Sequence, residues 1–410
     1  MNSALNSQEA VVQLRQLSWS VWRMLIYSMI FGIGMSFFDV LFSFYLVSMD
    51  FGIEMAGILS TTARVAGLVV GIPAGLFIDK IGARRALIVS VVAYVAALAW
   101  VLHAPTATWL IVSQFVAGSA WAIVATATIP LLISVTNHEL QPTVIGLNEA
   151  AVSTLSLVGS IAAGMLPSIL ATTMAVDPQS APAYRSALLI GAAIILVAVV
   201  PVARALTPAP HSNAPSTQNA PRSDTEYPTR STWQLVSYAL ASMILGIGGG
   251  LFLPFQSLFF RTEFGLSDAM VGSIVAFNGI TLGIGALVMG RLVGQRDLRV
   301  WGTVSRMMGA PAMLLMAVPI LPVAFVGYCL RGFAVGASVS TNDVLVMRLA
   351  GPRQRGLMSS IMTVLWSMGW AIAATASGYL QKSYGFGPIL VVGSLAYIVS
   401  GLAIWYFERE

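Results

Sequence analysis

Gly75-Leu-Phe-Ile-Asp79-Lys80-Ile-Gly82-Ala-Arg84-Arg85 closes one apolar stretch and opens the next. An Asp at a helix end, a Gly that lets the chain reverse and an Arg pair at the next helix start make a short cation-rich hairpin suited to a lipid surface. Such a hairpin needs a cytoplasmic side, and it ties together its two apolar flanks. Both are long and apolar enough to cross a bilayer.

The rest of the chain repeats that pattern. Its 410 residues are 57% hydrophobic and 9% charged, with a mean hydropathy of +0.83, which excludes a water-soluble globule. Apolar runs of about 20 residues, the length that spans a hydrocarbon core, fall at 23–48, 54–78, 84–104, 108–135, 144–171, 185–206, 232–260, 266–290, 300–320, 322–347, 357–381 and 386–407. An all-α membrane protein of twelve spans is expected.

Charge sets the orientation of that layout. Arg15, Arg23, Lys80, Arg84, Arg85, Arg204, Arg222, Arg230, Arg291, Arg296, Arg299, Arg306, Arg348, Arg353, Arg355 and Arg409 fall on one side, against Arg185, Arg261 and Lys382 on the other. Cationic loops stay cytoplasmic, so both termini are expected there. The net charge of +5 is then a topology signal, with no support for nucleic-acid binding. The first span is longer than a signal-peptide core and lacks a small-residue cleavage site, so no processing is expected. Residues 5–20 suit a short interfacial helix.

Several activities find no residues to carry them. The one cysteine, Cys329, lies in an apolar segment and excludes an intrachain disulfide. The two lysines, Lys80 and Lys382, lack the flanking glycines of a phosphate-cradling loop, so ATP is not the expected energy source. Gly246-Ile-Gly248-Gly-Gly250 lies inside an apolar span with no preceding strand, which favours packing over nucleotide binding. His103, His138 and His211 lie in or near loops, and no nucleophile, base and orienting group converge. No enzyme, metal site or cofactor is expected.

The chain divides in two. Residues 207–230 are rich in Pro, Ser, Asn and Ala and read as a flexible linker between an N-terminal bundle, 1–206, and a C-terminal one, 231–410. Gly32 and Gly34 in span 1 match Gly246 and Gly248 in span 7. The thirteen-residue interval from Gly146 to Gly159 in span 5 recurs from Gly356 to Gly369 in span 11. Small residues allow close helix packing in lipid, but their matched positions point to duplication into six plus six.

Ionisable groups at mid-membrane depth cost roughly several kcal/mol and mark function more often than chance. Asp39 and Arg64 sit at similar depth on an antiparallel hairpin and can pair. The pair reads either as a static lock or as a proton or substrate-cation site whose carboxyl is tuned by the arginine. Its counterparts in the second half are Leu253 and about Ala276, an asymmetry that favours a site. Arg331, in span 10, either snorkels outward, pairs with Glu263 or Asp268, or faces the middle of the molecule.

The hairpin motif, the twelve spans, the linker and Arg355-Gly356 at span 11 together resemble the major facilitator superfamily. That resemblance implies two pseudo-symmetric six-helix bundles that rock about a midplane site. It also implies that spans 1, 4, 7 and 10 line a central cavity, with Arg331 across it from Asp39. Candidate cavity residues are Phe38, Phe42, Gln114, Trp121, Phe252, Phe255, Gln256, Asn278, Ser338 and Asn342. By the same resemblance a cytoplasmic gate includes Gly75, Asp79, Gly82, Arg84 and Arg85, with Glu149 meeting Arg291 or Arg296 and Asp79 meeting the start of span 11 near Gly356. Asp343, close to Arg348, either belongs to that layer or is a solvated helix end. Trp366 and Trp370 face the cavity or pack between helices. Drug–proton antiporters of the family often carry an Arg early in span 4, where this chain has Gln114, and a Gly-Pro-rich motif in span 5, where it reads Gly159-Ser-Ile-Ala-Ala-Gly164-Met-Leu-Pro167.

The expected function is secondary transport of a small amphiphilic organic solute across a bacterial-type inner membrane, proton-coupled and outward, by a monomer. Mostly aromatic walls suit such a solute better than a sugar. The rivals are uptake or exchange of an organic anion, and a receptor or scaffold without transport.

Overall fold

The computed structural model describes residues 17–103, 106–137, 140–204, 232–292, 297–349 and 355–407. The expected interfacial helix at 5–20 falls mostly outside these residues, and the linker at 207–230 falls wholly outside them. Eleven of the helices are long and apolar enough to cross a membrane. Spans 1 to 5 are Trp19–Ser48, Ile53–Ile81, Ala83–His103, Ala107–Ser134 and Gln141–Met174. Spans 8, 10, 11 and 12 are Asp268–Leu292, Leu321–Leu349, Arg355–Tyr384 and Gly387–Phe407.

The other three spans are broken, and each break follows from a proline. A proline ring strikes the carbonyl four residues earlier and supplies no N–H. Pro201 accordingly divides span 6 into Ala181–Val197 and Val199–Arg204. Pro311 divides span 9 into Leu298–Met307 and Gly309–Met316, and it is the one expected span that is not among the eleven. In span 7, Pro254 sits in a 3-10 turn, Leu253–Phe255, between Thr232–Phe252 and Gln256–Phe264.

Two bundles form with matching internal contacts. In the first, span 1 packs on spans 5 and 6, and span 4 on spans 2 and 3; in the second, span 7 packs on spans 11 and 12, and span 10 on spans 8 and 9. The repeated glycines explain why. A Cβ on Gly159 would strike the span 1 backbone at Ile33, and one on Gly369 would strike the span 7 backbone at Met243. Gly34 lies against span 6, and Gly248 against Tyr397 of span 12. Matched small residues permit matched crossings, as lipid-embedded helices require when apolar burial gives them no preference for one another.

The bundles meet through spans 2 and 11 and through spans 5 and 8. Contact is concentrated towards the face that carries Glu54, Arg261 and Lys382. There a Cβ on Gly57 would strike the Ala374 carbonyl, and one on Gly272 the Ser160 carbonyl. Towards the Arg-rich face the same helices part: a Cβ on Gly71, Gly75, Gly146, Gly279, Gly283 or Gly290 would meet nothing within 4 Å. The molecule is closed on one face and open on the other.

Candidate functional site

Two adjoining cavities, one between the bundles and one within the C-terminal bundle, share Leu253 and Trp370 in their walls. The first, about 350 Å³, is lined by Phe38, Asp39, Phe42, Ser60, Arg64, Gln114 and Gln256, among others. The second, about 220 Å³, belongs to the C-terminal bundle and is bounded by Ser242, Arg331, Asn342, Thr363, Trp366 and Tyr397, among others. Four expected cavity residues, Phe38, Phe42, Gln114 and Gln256, therefore meet Asp39 and Arg64 in the first, and Arg331 and Asn342 border the second.

Asp39 and Arg64 share a wall without forming an ion pair: no N–O approach within 4.0 Å joins them. Asp39 is exposed to the cavity, and its side chain makes no described hydrogen bond. Arg64 reaches across to the other bundle instead. Its guanidinium carbon lies 4.4 Å from the ring centre of Trp370 and 4.9 Å from that of Trp366. Each such contact contributes about 0.5–2 kcal/mol, more when water is excluded. The indole N–H of Trp370 donates to the Ser60 hydroxyl at 3.0 Å, which holds the ring in place from span 2.

Arg331 is 1% exposed, and among the described residues its Nε and Nη2 have no hydrogen-bond partner. It pairs with neither Glu263 nor Asp268, and it lies 5.3 Å from the centre of the Phe252 ring. Asp268 belongs to another cluster: it accepts from the Tyr184 hydroxyl at 2.7 Å and lies 3.6 Å from Arg261, which also donates to Tyr184. This cluster ties span 6 of one bundle to spans 7 and 8 of the other. A second tie joins Lys382 to Glu54, and Thr61 hydrogen-bonds to Ala371 and Thr375 between them. Opposite charges in these short loops are legible in the sequence; their partners across bundles are not.

Several expected cavity residues lie elsewhere. Phe252 and Phe255 are wholly buried, Phe252 in an aromatic cluster with Phe259 and Tyr328. Trp121 stacks on Phe31 at 5.8 Å inside the N-terminal bundle. The Ser338 hydroxyl bonds back to the Ala334 carbonyl at 2.8 Å. Asn278 faces Gly332 of span 10, its Oδ1 buried and without a partner. These positions were expected at the cavity from the family resemblance and their side-chain type, neither of which fixes the helix face each one occupies.

On the Arg-rich face, Glu149, Arg291, Asp79 and Arg85 are exposed, and among the described residues no ion pair joins Glu149 to Arg291 or engages Asp79. That separation is what an open face requires. Arg296, the side chains of Asp343 and Arg348, and the surroundings of Gly356 lie outside the described residues. Gly82 has φ +84°, a conformation that favours glycine, and its N–H closes span 2 on the Ile78 carbonyl. Arg84 donates to the carbonyls of Val202 and Ala203, so it caps the C-terminal end of span 6 within its own bundle. Arg306, counted above among the cations on one side of the layout, is wholly buried and donates to Gly302 and to the Asn342 side chain.

Comparison with known proteins agrees with this architecture. A human MFS-type transporter, SLC18B1, is 27% identical over 199 residues, covering 43% of this chain and 44% of that protein. Sugar efflux transporter A of Dickeya chrysanthemi is 27% identical over 178 residues, covering 41% and 44%. The chain thus spans less than half the length of these curated relatives. A solved structure of a bacterial homologue of the human lysosomal transporter Spinster, inward-facing and occupied, superposes with a TM-score of 0.77 at 13% identity over 95% of this chain and 96% of that one. The family model described as Major Facilitator Superfamily matches residues 24–237 and again 238–410, one match for each bundle. The chain is a multi-pass membrane protein belonging to the Major Facilitator Superfamily.

Proposed function

We propose that the chain is a secondary transporter of the inner membrane that exports a small amphiphilic organic solute in exchange for protons. The cargo is exposed alternately on the two faces, the Arg-rich face being cytoplasmic. The observation that carries the reading is Asp39: a carboxyl group exposed to an inter-bundle cavity at mid-span, with no ion-pair partner, beside an arginine held by the other bundle. A carboxyl so placed takes up and releases a proton. When the bundles rock, Trp366 and Trp370 withdraw from Arg64. Asp39 takes up a proton while the opposite face is open and releases it on the Arg-rich face when the bundles return, so that protons move inward as cargo moves outward. Closure of the Arg-rich face brings Glu149 to Arg291 and completes the cycle.

Aromatic and aliphatic side chains make up most of the wall of the second cavity, beside a first cavity that mixes them about equally with polar groups, a combination that suits an amphiphile better than the sugar named for the Dickeya relative. The test is the internal pH of proteoliposomes containing the purified chain while amphiphilic amines, aromatic carboxylates and sugars are added in turn. Solute-dependent proton movement that vanishes in Asp39→Asn supports the reading. Solute movement with no proton movement refutes the coupling, and absence of flux for every class returns the chain to a receptor or scaffold.

A further inference from the structure

Resting on the transport reading above, we infer that the cavity of the C-terminal bundle is an anion subsite, and that the cargo carries a carboxylate or similar anionic group seated on Arg331. A guanidinium is a fixed cation with five N–H donors, and it is not neutralised by burial. Leaving such donors unmade inside a protein is strongly unfavourable, so nearly every buried arginine is paired. Arg331 is 1% exposed, borders the cavity and leaves Nε and Nη2 without a partner. The hydroxyl of Ser242, also 1% exposed and on the same wall, is likewise without one. Asn342 spends its Oδ1 on Arg306, which leaves the cavity the donor end of its amide.

The unmet groups are thus donors, and they converge on one space. Among the described residues lining the two cavities, Arg64 and Arg331 stand against the carboxylate of Asp39, a positive excess that an anionic cargo offsets. Trp366 and Trp370, 5.2 Å apart between ring centres, wall the same cavity and offer faces to an aromatic or aliphatic body. Anion on Arg331 and apolar body against the indoles define an amphiphile of one polarity, and they disfavour amines and uncharged sugars.

Calorimetric titration of the full chain in lipid nanodiscs with phenylpropanoate, phenylpropanamide and phenylpropylamine tests this directly. A hydrogen-bonded buried charge is worth about 1.5–3 kcal/mol, so the carboxylate should bind roughly ten- to hundredfold more tightly than its amide. Arg331→Gln should remove that preference while leaving amide binding unchanged, and Arg331→Lys should restore part of it. Equal binding of carboxylate and amide by the native chain overturns the inference, whether or not the Gln variant folds. So does equal weakening of both ligands in Arg331→Gln, the mark of a structural role. A carboxylate preference that persists when Asp39-dependent proton movement is absent upholds the subsite and overturns the coupling; proton-coupled flux of amines with no carboxylate preference does the reverse.

Discussion

At the scale of single residues, position in the sequence and role in the fold come apart most clearly in the opening motif. Gly75 and Gly82 look equivalent as sequence, yet only Gly82 has positive φ, and a Cβ on Gly75 would meet nothing within 4 Å. Gly82→Ala should therefore destabilise the folded chain by about 1–2 kcal/mol, the strain of an L-residue in the left-handed region. Gly75→Ala should be neutral or slightly stabilising. Chemical denaturation in detergent measures both, and equal losses would contradict the assignment. Arg84 is a helix cap before it is anything else, so Arg84→Ala should lower stability by about 0.3–1 kcal/mol. The Asp39 and Arg64 positions were legible as mid-membrane charges from their place in two apolar runs. The preference of Arg64 for Trp366 and Trp370 was not, because those rings arrive from a span some three hundred residues on.

At the scale of helices, spans were readable to within a few residues, since an apolar run of bilayer length bounded by Gly, Pro or charge leaves little freedom. The breaks at Pro201, Pro254 and Pro311 follow from proline chemistry as well. What the turn at Pro254 does to Phe252 and Phe255 depends on tertiary packing, which buries both rings and which a family resemblance does not specify. The helix pairs that close one face yield two predictions. Asp268→Asn removes a charge from the Arg261–Tyr184 cluster and should weaken closure by about 1.5–3 kcal/mol, roughly a ten- to hundredfold shift towards opening of that face. Gly57→Val should act in the same direction, because its side chain strikes the Ala374 carbonyl; overpacking of this kind costs about 1–3 kcal/mol. The rate at which a membrane-impermeant thiol reagent labels Ser43→Cys in a Cys329→Ser background reads both changes. Unchanged labelling from the closed face would show that these contacts do not hold it shut.

At the scale of the whole molecule, the duplication seen in the glycine spacing reappears as two bundles with the same internal contacts, joined by symmetry-related pairs of spans. Two similar halves joined at one face can exchange that join for one at the other, because the helices that carry it run the full depth. Closure of the face bearing Glu54, Arg261 and Lys382, with Glu149 and Arg291 held apart, is one of the two arrangements such a molecule has available. Fold and duplication were open to the sequence because both are written in local patterns; the conformational state was not, because two states of similar energy share one sequence.

The measurement that bears most directly on alternating, proton-driven access is a pair of spin-label distances in nanodiscs. One pair is Glu149→Cys with Arg291→Cys on the Arg-rich face; the other is Gln179→Cys with Glu263→Cys on the opposite face, each in a Cys329→Ser background. On changing pH the first distance should shorten as the second lengthens, and Asp39→Asn should abolish both responses. Distances that change together, or opposed changes that survive in Asp39→Asn, would contradict the account.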